Sequence, residues 1–158
     1  MLVARYEKPV FNLARRMVSD PDDAADITQN VFVKVFLRID TYKPDYNLFS
    51  WIYRIAVNES LNFLDGRNRR NALRYEPPTV QKTPEEDVGL SESSELIQRA
   101  LERMTVDQRI VIVLKHLLLL PYREIATILG ITEKTVKSRL FTARQVLKER
   151  LVERGYVP

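Results

Sequence analysis

The sequence predicts an all-α protein: two small helical domains joined by a flexible linker, the C-terminal one a helix-turn-helix. Three observations carry this. Apolar residues recur at helical spacing, and no stretch alternates as a strand would. Residues 76–95, EPPTVQKTPEEDVGLSESSE, hold three prolines, a glycine and few apolar side chains, too little to bury for the segment to order itself. Near the C-terminus two short helical patterns meet at a glycine, in YREIATILGITEKTVKSRLFTAR. The expected divisions are 1–75, 76–95 and 96–158.

In the N-terminal part, SDPDDAADITQNVFVKVFLRI opens with Ser19 and acidic residues suited to a helix start. Ile27, Val31, Val35 and Ile39 follow at four-residue spacing, and Phe32 and Phe36 widen that stripe into an expected buried face. The turn-rich DTYKPDYN precedes another helix, LFSWIYRIAVNESLNFL, expected to end at Asp65-Gly66. Leu48, Ile52, Ile55 and Leu61 form its core stripe. The aromatics and amides of that helix exceed what packing needs.

The C-terminal part begins with ELIQRALERM and VDQRIVIVLKHLLL, the second expected to stop at Pro121. YREIATIL makes a short helix, Gly130 the sharp turn, and Thr132 the cap of the last helix. With Val136 as origin and about 100° per residue, Leu140, Ala143 and Leu147 share the buried stripe. Lys134, Lys137, Ser138, Phe141, Thr142, Gln145 and Lys148 point the other way, flanked by Arg139 and Arg144. Such a face is either merely solvated or made for phosphates and base edges in a major groove. The scarcity of acids among its cations and the helix-turn-helix pattern favour DNA.

Charge agrees with this division. Residues 1–75 carry 12 Lys/Arg against 9 Asp/Glu, residues 76–95 carry 1 against 6, and residues 96–158 carry 12 against 6. Two basic parts suit phosphate; the acidic connector does not. The chain has no cysteine and one histidine, His116, in an apolar helix where a structural role is expected. With no Gly-rich phosphate loop either, the usual nucleophile, base and metal constellations are missing, so neither an enzyme nor a cofactor is expected. No apolar run reaches the roughly 20 residues of a membrane span, and no secretory signal is visible, so a soluble cytoplasmic protein without membrane insertion is the simplest reading.

The helix-turn-helix alone would suggest a stand-alone DNA-binding regulator. The N-terminal part redirects that reading: DDAADITQNVFVKVFLRI followed by LFSWIYRIAVNESLNFL resembles the first conserved domain of the extracytoplasmic-function (ECF) sigma factors of bacterial RNA polymerase. An A-x-D-x-x-Q-x-x-F helix comes first in that family, and W-x-Y-R-I-A-x-N follows in the next. VDQRIVIVLKHLLLLPYREIATILGITEKTVKSRLFTAR is similar to the family's fourth-region domain, so the resemblance spans nearly everything outside the linker.

The resemblance implies a transcription initiation factor that binds core RNA polymerase and promoter DNA and is commonly held by an anti-sigma factor. It places polymerase binding on Asp26, Gln29, Asn30, Val33 and Lys34, where the alternative for Gln29 and Asn30 is that their amides simply face water. It places duplex reading of the upstream element on Lys134, Lys137, Ser138, Arg139, Phe141 and Arg144. It places single-strand reading of the downstream element on Phe49, Trp51, Tyr53, Asn58 and Asn62 under the loop 42–47, with Arg54, Arg67, Arg69 and Arg70 for phosphates. A lone tryptophan such as Trp51 could equally be core. The sequence departs from the family at Lys134, where glycine is frequent, at Thr142, where arginine is common, and at Asp65-Gly66, which interrupt a basic stretch.

Overall fold

The structure, a computed structural model, describes residues 2–45, 47–74 and 92–153, the side chains of residues 2 and 68–74 excepted. Among the described residues there are seven α-helices and no strand, as the fold class requires.

α1 (Leu2–Val18) buries Tyr6, Val10, Leu13, Ala14 and Met17 along one stripe. Ser19 ends it rather than starting the next helix: its φ of 71° is left-handed, and its N–H bonds back to the Arg15 carbonyl. Asp20 is the cap of α2 (Pro21–Arg38), its carboxylate accepting from the Asp22 N–H at 2.7 Å, with Pro21 in the first helical turn. This two-residue joint folds α2 back against α1.

α2 buries Ala24, Ile27, Thr28, Val31, Phe32 and Val35. The Thr28 hydroxyl is satisfied by the Ala24 carbonyl at 2.7 Å. Two residues expected in this stripe lie outside it: Phe36 is 63% exposed and Ile39 is 39% exposed. At about 100° per residue, Phe36 falls roughly 110° from the centre of the buried face. Ile39 belongs to a 3₁₀ turn, Ile39–Thr41, which breaks the α register.

α3 (Leu48–Arg74) is capped by Asn47, whose side-chain oxygen accepts from the Phe49 N–H at 2.9 Å. It runs straight through Asp65-Gly66 instead of stopping there. A glycine inside a helix costs about 1 kcal/mol relative to alanine, which a helix of 27 residues absorbs.

α4 (Glu92–Glu102) starts four residues inside the stretch read as linker, its acidic first turn matching the helix dipole. Residues 75–91 lie outside the described residues. Thr105 and Gln108 form a reciprocal capping box at the start of α5 (Val106–Ile112). α5 widens directly into a π turn over Val113–Leu117, where the Leu118 N–H reaches the Val113 carbonyl at 3.1 Å. The helix therefore ends before Pro121, which occupies the cap position of α6 (Tyr122–Leu129). Gly130, at φ 68°, turns the chain as the sequence predicts, and Thr132 caps α7 (Glu133–Glu153) by accepting from the Thr135 N–H at 3.1 Å.

α1–α3 and α4–α7 form two clusters whose buried residues join into one continuous core. Two polar seams link them. At the end of α1, Arg16 donates to the Ser94 carbonyl and to Gln98 Oε1, both at 3.1 Å, while Gln98 Nε2 donates to the Arg15 carbonyl at 3.3 Å. Buried Arg109 donates to the carbonyls of Met17, Glu102 and Met104, gathering the C-terminal ends of α1 and α4 around one guanidinium. At the start of α3, Asn47 Nδ2 and Ser50 Oγ donate to the two carboxylate oxygens of Glu124 on α6, at 3.0 and 3.1 Å.

Candidate functional site

The helix-turn-helix presents α7. Val136, Leu140 and Ala143 are fully buried against the preceding helices. Lys134, Lys137, Ser138 and Arg144 are exposed, and Phe141 holds its ring 68% in solvent. An exposed phenylalanine amid cations is an unsatisfied apolar surface, available to a thymine methyl or a sugar. Arg139 does not join this set: it is half-buried and falls roughly opposite Lys137 around the helix.

Two residues beside this face bear on it: Tyr122, which the sequence does not single out, and His116, expected to be structural but exposed. The ring of Tyr122, at the start of α6, has Lys115 Nζ 4.6 Å and Lys137 Nζ 5.6 Å from its centroid, so it draws one π-turn cation and one α7 cation together. His116 Nε2 accepts from Arg144 Nε at 3.1 Å. Although His116 is exposed, partial desolvation of its ring holds its pKa below the ordinary value, and the neighbouring Arg144 and Lys115 charges lower it further. Neither partner could be read locally, because each reaches α7 from a different helix.

On α3 the structure divides the expected single-strand surface. Trp51, Asn58 and Asn62 fall within about 40° of one another, with Arg54 beside them. Asn58, Asn62 and Arg54 are exposed and Trp51 is half-buried, with Tyr42 of the preceding loop against it at 5.3 Å between ring centroids. Phe49 and Tyr53 lie on the opposite side. Tyr53 is 5% exposed, and Phe49 packs edge-on against Tyr6 at 4.8 Å with the Arg5 guanidinium over its ring at 5.6 Å. In this arrangement Tyr53 is core and has no face to offer a base. Arg67 is exposed and acts on Asp23 of α2, where burial and surrounding carboxylates raise the acid's pKa and Arg67 opposes them. Arg69 and Arg70 lie on the last turns of α3, their side chains outside the described residues, as is Tyr46 of the loop.

Trp51 and Arg54 also border a crevice of about 220 Å³ that Thr41, Lys43 and Ser50 line on one side and Thr127 and Ile128 of α6 on the other. One end of the loop-and-tryptophan surface thus faces the helix-turn-helix.

The outer face of α2 gathers the third set. Asp26, Gln29 and Asn30 are exposed, and Lys34 is held by an ion pair with Glu59 of α3. Beside them stand Val33, 56% exposed, Phe36, and Leu37, 77% exposed. Three large apolar side chains thus share one solvent-facing side, rimmed by amides, an exposed apolar patch of the kind that suits an interaction surface. Phe36 and Leu37 were not among the residues the sequence singled out for that role.

Comparison with known proteins identifies two regions along the chain. The family model described as Sigma-70 region 2 matches residues 2–70, and Sigma-70, region 4 matches residues 94–147. The ECF RNA polymerase sigma-E factor of Escherichia coli (strain K12) is 32% identical over 163 aligned positions, covering 96% of this chain and 85% of the relative. The protein of the same name from Haemophilus influenzae is 31% identical, with 96% and 86% covered. Among solved structures, the sigma factor RpoE in complex with the anti-sigma factor NepR from Bartonella quintana aligns with a TM-score of 0.78 at 25% identity, over 94% of this chain and 93% of that one. CnrH in complex with the cytosolic domain of CnrY aligns at 0.73 and 26% identity, over 96% and 86%. Among the described residues no helix is long and apolar enough to cross a membrane. The chain belongs to the ECF sigma factors of RNA polymerase, which are transcription initiation factors and not enzymes.

Proposed function

We propose that this sigma factor docks on core RNA polymerase through the outer face of α2, reads the upstream promoter element as duplex with α7, and reads the melted downstream element as single strand with α3. The observation that carries the reading is the separation of three chemically distinct faces on one chain. α7 has cations and an exposed ring, suited to phosphates and base edges. α3 has Trp51 with two amides, suited to stack and hydrogen-bond an extruded base. α2 has exposed Val33, Phe36 and Leu37, suited to a protein. Asn47 and Ser50, engaged by Glu124, and the crevice closed by Thr127 and Ile128 mean that a strand reaching the loop side of Trp51 requires α6 to move away.

An anti-sigma partner is part of the proposal, supported by two solved neighbours described as complexes with NepR, an anti-sigma factor, and with CnrY. Action beside the polymerase in the cytoplasm goes with it.

Alanine variants divide the three steps. Lys137→Ala and Phe141→Ala should each weaken initial promoter binding by about 5- to 150-fold, the range of a lost base contact, with polymerase affinity unchanged. Asn58→Ala should leave initial binding intact but reduce permanganate-reactive, opened promoter on a duplex template. Loss of polymerase binding in Asn58→Ala, with equal failure on duplex and pre-melted templates, would make this α3 face a polymerase contact and end the single-strand assignment.

A further inference from the structure

His116 belongs to none of the three faces, yet it is bonded to a residue of the proposed duplex-reading one. We propose that His116 is a positioning residue for promoter binding: its neutral imidazole holds Arg144 in place beside Lys137 and Phe141. The proposal rests on the reading of α7 as the duplex-binding helix.

The chemistry is specific. Arg144 donates through Nε at 3.1 Å, so His116 Nε2 must carry a lone pair and its proton must sit on Nδ1. Binding through Nε uses one of the five guanidinium N–H groups and leaves both terminal amino groups for a phosphate. A carboxylate in this position would also hold Arg144, but it would cancel the charge the phosphate needs. A neutral imidazole orients the cation and leaves its charge intact. The lowered pKa, caused first by partial desolvation and then by Arg144 and Lys115, keeps the ring in that form at neutral pH.

The backbone supports the same arrangement. His116 lies within the π turn Val113–Leu117, a local widening of the helix of the kind often found at functional positions. From consecutive positions in this turn, Lys115 reaches the Tyr122 ring that also faces Lys137, and His116 reaches Arg144 of α7. A long arginine side chain ordered before binding loses less rotamer freedom when DNA arrives. The expected benefit is about threefold to tenfold in affinity.

The test has one arm without DNA and one with it. His116 is the chain's single histidine, so its ¹⁵N signals in the full-length protein need no deconvolution. At neutral pH they should report an unprotonated Nε2. The Arg144 Nε–H should exchange slowly in the wild type, fast in His116→Leu, and slowly again in His116→Gln, whose amide oxygen can accept. In duplex binding with the polymerase complex, His116→Leu should cost about threefold to tenfold in affinity, His116→Gln should recover most of it, and His116→Leu should add nothing in an Arg144→Ala background.

Protonated Nε2, or Arg144 exchange that ignores His116→Leu, overturns the proposal. So does an equal loss from His116→Leu with and without Arg144, which would mean that histidine acts on its own. Wild-type affinity in Arg144→Ala would overturn the underlying assignment of Arg144 to DNA, and the positioning role with it. Loss in Arg144→Ala with none in His116→Leu would overturn the positioning role alone.

Discussion

Replacing Arg109 with alanine is expected to lower the unfolding free energy by about 3 kcal/mol or more, seen as a drop of roughly 6–12 °C in Tm. The guanidinium is buried and donates to the carbonyls of Met17, Glu102 and Met104. Burial pulls its pKa down from the usual high value and Glu102 partly restores it, so the group remains a cation at neutral pH. Its removal leaves three carbonyls to find other donors at the junction of the two clusters, and each unsatisfied buried acceptor costs about 1–3 kcal/mol. Lysine keeps the charge but not the planar fork, so Arg109→Lys should recover only part of the loss. Urea unfolding of the three proteins measures this directly. A loss below about 1 kcal/mol in Arg109→Ala would show that the seam contributes little to holding the clusters together.

The second large effect is on association. Phe36→Ser should leave stability within about 0.5 kcal/mol, because the ring is 63% exposed. It should nevertheless weaken binding to core polymerase by about 30-fold or more, the loss typical of a central aromatic anchor. The sequence pattern alone implies the reverse: as a core residue, Phe36 would cost about 3–5 kcal/mol of stability when truncated. Urea denaturation and titration of the labelled protein with core polymerase, on the same variant, separate the two. Intact polymerase affinity would remove the outer face of α2 from the docking surface.

These two residues also mark where the sequence is legible. Gly130 and Thr132 announce their turn locally, because a left-handed turn and a hydroxyl cap each need a particular residue at one position. Val136, Leu140 and Ala143 announce the buried side of α7 by spacing alone. Phe36 misleads because apolar residues surround much of α2, and periodicity shows a stripe without showing which of two adjacent stripes meets the core. Asp65-Gly66 misleads because a local stop signal worth about 1 kcal/mol is overridden in a long helix. Lys115 and His116 lie in a π turn that no local residue announces, and their partners Tyr122 and Arg144 come from other helices. Arg109, Glu124 and Tyr122 act on partners many residues away, and nothing in their own neighbourhoods names Met17, Ser50 or Lys137.

The central claim is that this chain directs polymerase to promoters by reading two elements in two different states of DNA. Single-round run-off transcription with core polymerase, with and without the full chain, on a promoter library in duplex and pre-melted form tests it most directly. Discrete transcripts are expected only when the chain is present. On duplex templates the selected promoters should share two separated elements; on pre-melted templates, upstream changes should still matter while Asn58→Ala loses its opening defect. Identical transcripts with and without the chain, while the chain alone binds promoter duplex tightly, would contradict the claim and make the protein a stand-alone helix-turn-helix regulator.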